Sequence, residues 1–300
     1  MNVQRNVIVL TLAVAVGGLS LPLRGQQIYV GSYNGGGNNG VVGEYNADGT
    51  PVNASLITGL DDPIGLAISG NDLFVANYTS GVIGEYNLNG TPVNASLITG
   101  LNEPVGLAIS GNDLFVVNRG SGVVGEYTTS GGTVNASLIT GLTSPYGLAI
   151  SGNDLFVAND IFSGWIGEYT MSGATVNASL ITGLNDPCGL AISGNDLFAA
   201  IFASQVIGEY TTSGGIVNGS LIAGLSNPED VAVSGNDLFV ANSAIGVISE
   251  YTTSGATVNA SLITGLFGPA SIAIVPEPAT LALVGLGGLM ALRRGRSLRW

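Results

Sequence analysis

The sequence predicts an all-β fold: a six-bladed β-propeller of four-stranded antiparallel blades, closed by a C-terminal strand pairing into the N-terminal blade. Three observations predict it. A unit of about 40 residues recurs six times, each unit carries four short strand signals, and the array starts one strand late and ends one strand over.

The repeat is read directly. "SGNDLF" begins at Ser69, Ser110, Ser151, Ser193 and Ser234, in steps of 41, 41, 42 and 41 residues. "GEY" or "SEY" places Glu44, Glu85, Glu126, Glu168, Glu209 and Glu250 in register, and "VNASLI" or "VNGSLI" does the same for Asn53, Asn94, Asn135, Asn177, Asn218 and Asn259. Radial repetition of such a unit is a propeller pattern, with a stacked solenoid as the competing architecture.

The second unit shows the four strands. "IGLAIS" from Ile64 is an apolar run closed by the turn "SGND", and "DLFVAN" from Asp72 is the next. Gly-Asn between two apolar runs signals a hairpin. Both runs are apolar at successive positions, as strands buried on two faces are. "GVIGEY" from Gly81 is the third, and "VNASLI" from Val93, which mixes Asn, Ser and Leu, suits an outer strand.

The ends of the array favour the ring. "QIYVGSYNG" from Gln27 matches a second run with no first run before it, and "FGPASIAIV" from Phe267 matches a first run with nothing after it. One strand from the C-terminus therefore completes a blade begun at the N-terminus. That closure has no purpose in an open solenoid.

The stretch "P-x-G-L-A-I-S-G-N-D-L-F-V-A-N" is similar to the repeats of NHL-type and SMP-30/gluconolactonase-like six-bladed propellers, over about 27–275. The resemblance speaks for architecture, because one fold hosts many functions. In SMP-30-like enzymes a divalent metal sits at the channel mouth on acidic and Asn residues. That ligand set is not matched here residue by residue.

The units differ from one another in two links, which an up-and-down blade places on one face. The residue after Pro in the link into each first strand is Ile64, Val105, Tyr146, Cys188, Glu229 or Ala270. The link between second and third strands reads "YTS", "RGS", "DIFS" or "SAI", or the longer "SYNGGGNNG" from Ser32. Specific contacts belong on such a face. The channel-mouth candidates are therefore Ile64, Val105, Tyr146, Cys188, Glu229 and Asp230. Glu229 and Asp230 replace an apolar residue and Gly. With Asp61, Asp62, Asp160 and Asp186 on the same side, they are the candidate metal ligands, for calcium, which takes several oxygens at once. Otherwise no cofactor is expected. The six repeated glutamates and the turn aspartates (Asp72 and its equivalents) read as architecture, and Cys188 as a small buried residue near the mouth.

Composition narrows the chemistry. Residues 26–275 hold nineteen acids and one base, Arg119, a net of −18, and the chain has no Lys. Such a surface repels nucleic acid and anionic headgroups. There is no His, so the commonest general base and metal ligand is missing, and with it any Ser–His or Cys–His pair. One cysteine allows no internal disulfide.

Both termini carry targeting features. Residues 1–25 read as a signal peptide, with Arg5 before the apolar run "VIVLTLAVAV" from Val7; a first buried strand or helix is the alternative. Residues 276–300 place Pro276, Glu277 and Pro278 before an apolar stretch from Ala279 to Leu292, followed by Arg293, Arg294, Arg296 and Arg299. This order resembles the PEP-CTERM sorting signal. The resemblance implies an exosortase-type processing enzyme as partner. The apolar stretch is expected as a short transmembrane helix, about 21 Å long against a ~30 Å hydrocarbon core, with the arginines left on the cytoplasmic side. The inner membrane is then an anchor before processing, and the cell surface or extracellular space the destination.

Two functions fit. One is a non-enzymatic binding or scaffold module of the cell surface or matrix, with an exopolysaccharide or envelope protein as partner. The other is an exported lactonase-like hydrolase with a metal on Glu229 and Asp230. Self-association through the Lys-free outer strands is a minor third.

Overall fold

The computed structural model describes residues 25–33 and 39–275; the expected signal peptide, the sorting tail with its expected helix, and part of the first unit's long link lie outside them. The described chain is all-β. Blade 1 contains β1 (Gln27–Ser32), β2 (Gly40–Asn46) and β3 (Pro51–Leu60). Blade 2 is β4 (Pro63–Ser69), β5 (Asp72–Asn77), β6 (Val82–Asn87) and β7 (Pro92–Ile98). Blade 3 is β8 (Pro104–Ser110), β9 (Asp113–Asn118), β10 (Val123–Thr128) and β11 (Thr133–Ile139). Blade 4 is β12 (Pro145–Ser151), β13 (Asp154–Asn159), β14 (Gly164–Thr170) and β15 (Thr175–Leu184). Blade 5 is β16 (Pro187–Ser193), β17 (Asp196–Ile201), β18 (Val206–Thr211) and β19 (Ile216–Ala223). Blade 6 is β20 (Pro228–Ser234), β21 (Asp237–Asn242), β22 (Val247–Thr252) and β23 (Thr257–Ile263). The last strand, β24 (Pro269–Val275), joins blade 1, whose order is β24-β1-β2-β3.

The strand left over at one end of the array thus fills the gap at the other. Ile28 pairs with Ile274 and Val30 with Ile272, antiparallel. The innermost strands β24, β4, β8, β12, β16 and β20 each touch both neighbours, so they close a ring around a channel.

The core consists of seams between blades. On β5, Leu73 and Val75 pack toward blade 1, while Phe74 and Ala76 pack toward blade 3. This is why "DLFVAN" is apolar at consecutive positions: both faces of the strand meet a neighbouring sheet. Phe74, Phe115, Phe156, Phe198 and Phe239 are all at most 1% exposed. Each anchors one seam, and truncation to Ala at such a site costs about 3–5 kcal/mol. Blade 1 has Tyr29 at this position, and its hydroxyl donates to Glu44 Oε1 at 3.2 Å, giving that buried carboxylate a partner.

The outer strands explain "VNASLI". Their first residues are exposed, and Asn53 Oδ1 accepts the Ser55 N–H two residues on at 3.1 Å, a contact repeated in all six blades. The strand bulges there, with register shifts between Val42 and Glu44 against Ile57 and Asn53. The bulge carries Leu56 onto the next blade's hairpin at Gly90. A bulged, Asn-capped edge is a poor template for another strand, although it lacks Lys.

Candidate binding site at the channel mouth

The two variable links meet on one face, as the up-and-down reading requires. The residue before each link proline has a positive φ: Asp62 (55°), Glu103 (53°), Ser144 (45°), Asp186 (58°), Asn227 (52°) and Gly268 (48°). Five of these are not glycine, and such backbone costs about 1–3 kcal/mol apiece. In return each turns its carbonyl toward the first residue after a second strand. The N–H groups of Tyr78, Arg119, Asp160, Phe202, Ser243 and Tyr33 donate to those carbonyls at 2.9–3.2 Å. The strained links therefore fix a ring of six side chains of five kinds around the mouth. Buried asparagines brace them: Asn77 Oδ1 accepts the Asp61 N–H at 3.2 Å, and Asn118, Asn159 and Asn242 act alike.

A cavity of about 500 Å³ opens there, lined by Tyr33, Ile64, Tyr78, Arg119, Tyr146, Asp160, Asp186, Cys188, Phe202 and Glu229. Ile64, Tyr146 and Glu229 also line the bore below it, about 250 Å³. Four aromatic side chains, three carboxylates and one guanidinium face one space.

Arg119 Nη2 holds Asp160 Oδ2 at 2.7 Å, and its guanidinium carbon lies 5.5 Å from the centre of the Tyr146 ring. Burial pushes the Asp160 carboxyl up and Arg119 opposes that shift. The Tyr33 hydroxyl donates to Glu229 Oε1 at 3.0 Å across the closing seam. Burial raises Glu229, while hydrogen bonds from Ser243, Tyr33 and Tyr146 draw it back. Tyr33 is pushed up to about 12 by its own burial and then by the Glu229 charge. The Cys188 thiol points at Asp160 Oδ1 (3.8 Å) and the Asp186 carbonyl (3.6 Å), and burial with those acids drives it well above its ordinary value. It stays a thiol, unsuited to nucleophilic attack.

Of the six sequence candidates, Ile64, Tyr146, Cys188 and Glu229 line the mouth cavity. Val105 does not: it is fully buried, packed with Phe115 and Val117, and Ile64, Tyr78 and Tyr146 lie against its cluster. A short side chain among longer neighbours is roofed over. Asp230 lies in the bore, with a sliver of solvent contact along the narrow channel. Its Oδ1 accepts the Val231 N–H at 2.9 Å and its Oδ2 the Ile272 N–H at 2.8 Å. Burial raises it to about 7 against those bonds. Glu229 and Asp230 thus point to different tasks. Asp62 Oδ2 accepts the Thr79 hydroxyl at 2.7 Å. Among the described residues no group of three or more His, Cys, Asp or Glu is placed to hold a metal ion.

Sequence reasoning missed Tyr33, Tyr78 and Phe202, and left Arg119 unplaced. The signal was available: each directly follows a second strand, where the other units carry Asp160 and Ser243.

The fold and this mouth define the class, a six-bladed propeller with a differentiated face. Residues 275–297 match the PEP-CTERM protein-sorting motif, which marks an exported protein and is recognised by an exosortase-type enzyme. No curated protein matches the chain. Among solved structures, a chain of a nidogen/laminin complex is similar at 17% identity and TM-score 0.71, over 84% of this chain and 99% of that one. A gluconolactonase from Xanthomonas campestris is similar at 14% identity and TM-score 0.57, over 69% of this chain and 82% of that one. Both likenesses are of fold alone. Among the described residues no helix is long and apolar enough to cross a membrane.

Proposed function

We propose that this exported propeller is a non-enzymatic binding module of the cell surface or extracellular matrix, and that its channel mouth takes a glycan segment of that matrix. The observation that supports it is the mouth cavity itself. Four aromatic side chains with carboxylates and hydroxyls converge on the one face where the blades differ. Aromatic faces stack against sugar rings, and the polar groups fix orientation. The commonest general base is missing, since the chain has no His, and the buried thiol holds its proton.

Metal-dependent hydrolysis through Glu229 and Asp230 has weaker support, because both Asp230 oxygens are already engaged by backbone N–H groups. Calcium remains the cation to test. The test is retention of the full chain on polysaccharide purified from the producing cells, with and without a chelator. Retention that falls in Tyr78→Ala and survives chelation supports the reading. No retention, or a tight calcium site accompanied by ester hydrolysis, overturns it.

A further inference from the structure

We propose that the mouth cavity recognises a protonated amine carried on a sugar ring, that is, an amino-sugar unit with its nitrogen unacylated. This rests on the glycan reading above and names its ligand class.

The inference comes from a charge without a counterpart. Glu229 is 8% exposed and lines the cavity. A hydroxyl serves it: Tyr33 donates to Glu229 Oε1 at 3.0 Å. A buried carboxylate normally has a cationic partner. None is available, because Arg119 is the only basic residue among the described ones and is committed to Asp160 Oδ2 at 2.7 Å. Asp186 adds a further acid to the same wall. The cavity therefore carries excess negative charge beneath aromatic side chains.

That combination sorts ligands by charge. An anionic sugar meets three carboxylates and one neutralised guanidinium, and is repelled. A neutral sugar offers Glu229 further hydroxyl donors, which it already has. An ammonium supplies what is missing, with three donors and a full charge. The rings of Tyr33, Tyr78, Tyr146 and Phe202 line the same space, and aromatic faces attract cations. A volume of about 500 Å³ admits a sugar ring together with its substituent.

The experiment is calorimetric titration of the full chain with four probes: a glucosamine oligomer, the N-acetylglucosamine oligomer, a glucose oligomer and 1,4-diaminobutane. The expected result is one site for the glucosamine oligomer, and about tenfold weaker binding or less for the other three. Glu229→Gln, which keeps the shape and loses the charge, is expected to weaken that site by about thirtyfold, as for removal of one partner of a buried ion pair. Tyr78→Ala, at the rim, is the second variant should the first not fold, and is expected to weaken it as well. Equal affinity for glucosamine and glucose oligomers overturns the amine inference and leaves the glycan reading standing. Equal affinity for the diamine overturns the sugar and, with it, the glycan reading. Undiminished binding by Glu229→Gln or by Tyr78→Ala overturns the placement in the mouth.

Discussion

The Ile272 N–H donates to Asp230 Oδ2 at 2.8 Å, and this bond ties blade 6 to the strand that closes the ring. Four of the other units have Gly at the Asp230 position: Gly65, Gly106, Gly147 and Gly189. A side chain there meets the next inner strand; a Cβ on Gly106 falls 2.4 Å from the Tyr146 carbonyl oxygen. Only at the closing seam does a carboxylate replace that backbone contact. Replacing Asp230 by Gly restores the repeat but strips one hydrogen bond from the seam, to Ile272, and a local one to Val231. The expected outcome is a lower thermal midpoint, measured by circular dichroism.

The same carboxyl gives stability a pH dependence. Its folded value, about 7, lies above the ~3.9 of an unfolded Asp. Between those values the folded state holds a proton that the unfolded state does not. Stability therefore rises as pH falls from about 7 toward 4, and declines as pH climbs through about 7. Glu85, Glu126, Glu168, Glu209 and Glu250 are raised too, first by burial and then by an Asp of the same blade, and act with the same sign. The thermal midpoint is expected to be higher at pH 5 than at pH 8, with a shallower difference in Asp230→Gly.

Arg119 and Asp160 offer a separable pair. With side chains 32% and 14% exposed, the pair lies between surface and core. Removing Arg119 is expected to cost about 1–2 kcal/mol, above an exposed pair and below a buried one. A double-mutant cycle with Asp160→Asn checks this, since a coupling near zero would assign the loss to the Tyr146 contact instead.

The blade seams can be probed with two glycines. Gly90 has φ +83° and lies against Leu56 of the preceding blade, where a Cβ would fall 2.6 Å from the carbonyl oxygen. Gly70 has φ +59° and open space around it. Gly70→Ala is expected to cost about 1 kcal/mol, the left-handed strain alone. Gly90→Ala should cost clearly more, and chemical denaturation would resolve the difference.

Ring closure is tested by length. A chain ending at Val275 keeps β24 and is expected to unfold in one cooperative transition. A chain ending at Leu266 lacks β24, exposes Ile28 and Val30, and is expected to lose that cooperativity.

The architecture was legible because it is written six times over. The "SGND" turns, the doubly apolar second strands and the displaced ends each imposed a local constraint, and all agreed. The differentiated face was legible only in outline. Reading the residue after each proline found Glu229, Tyr146, Cys188 and Ile64. It also picked Val105, because a position in a repeat does not reveal whether longer neighbours cover it. Tyr33 escaped because its link is longer than the others, and Tyr78 and Phe202 because four-residue links of such different composition do not show which residue turns inward. Glu229 and Asp230 have separate duties because the strand register shifts between Pro228 and Asp230, so Glu229 reaches the mouth cavity while Asp230 is held by the Val231 and Ile272 N–H groups; adjacency in sequence suggested a shared site instead.

Closure by β24 also orders events in time. A chain emerging amino end first can assemble its seams one after another, yet blade 1 waits for residues 269–275, almost the last to appear. Until then the innermost place beside β1 is empty and the assembly remains a horseshoe. The sorting motif begins where that strand ends. An enzyme that recognises the motif thus meets a chain whose final strand is already available, since the motif lies almost wholly beyond the ring.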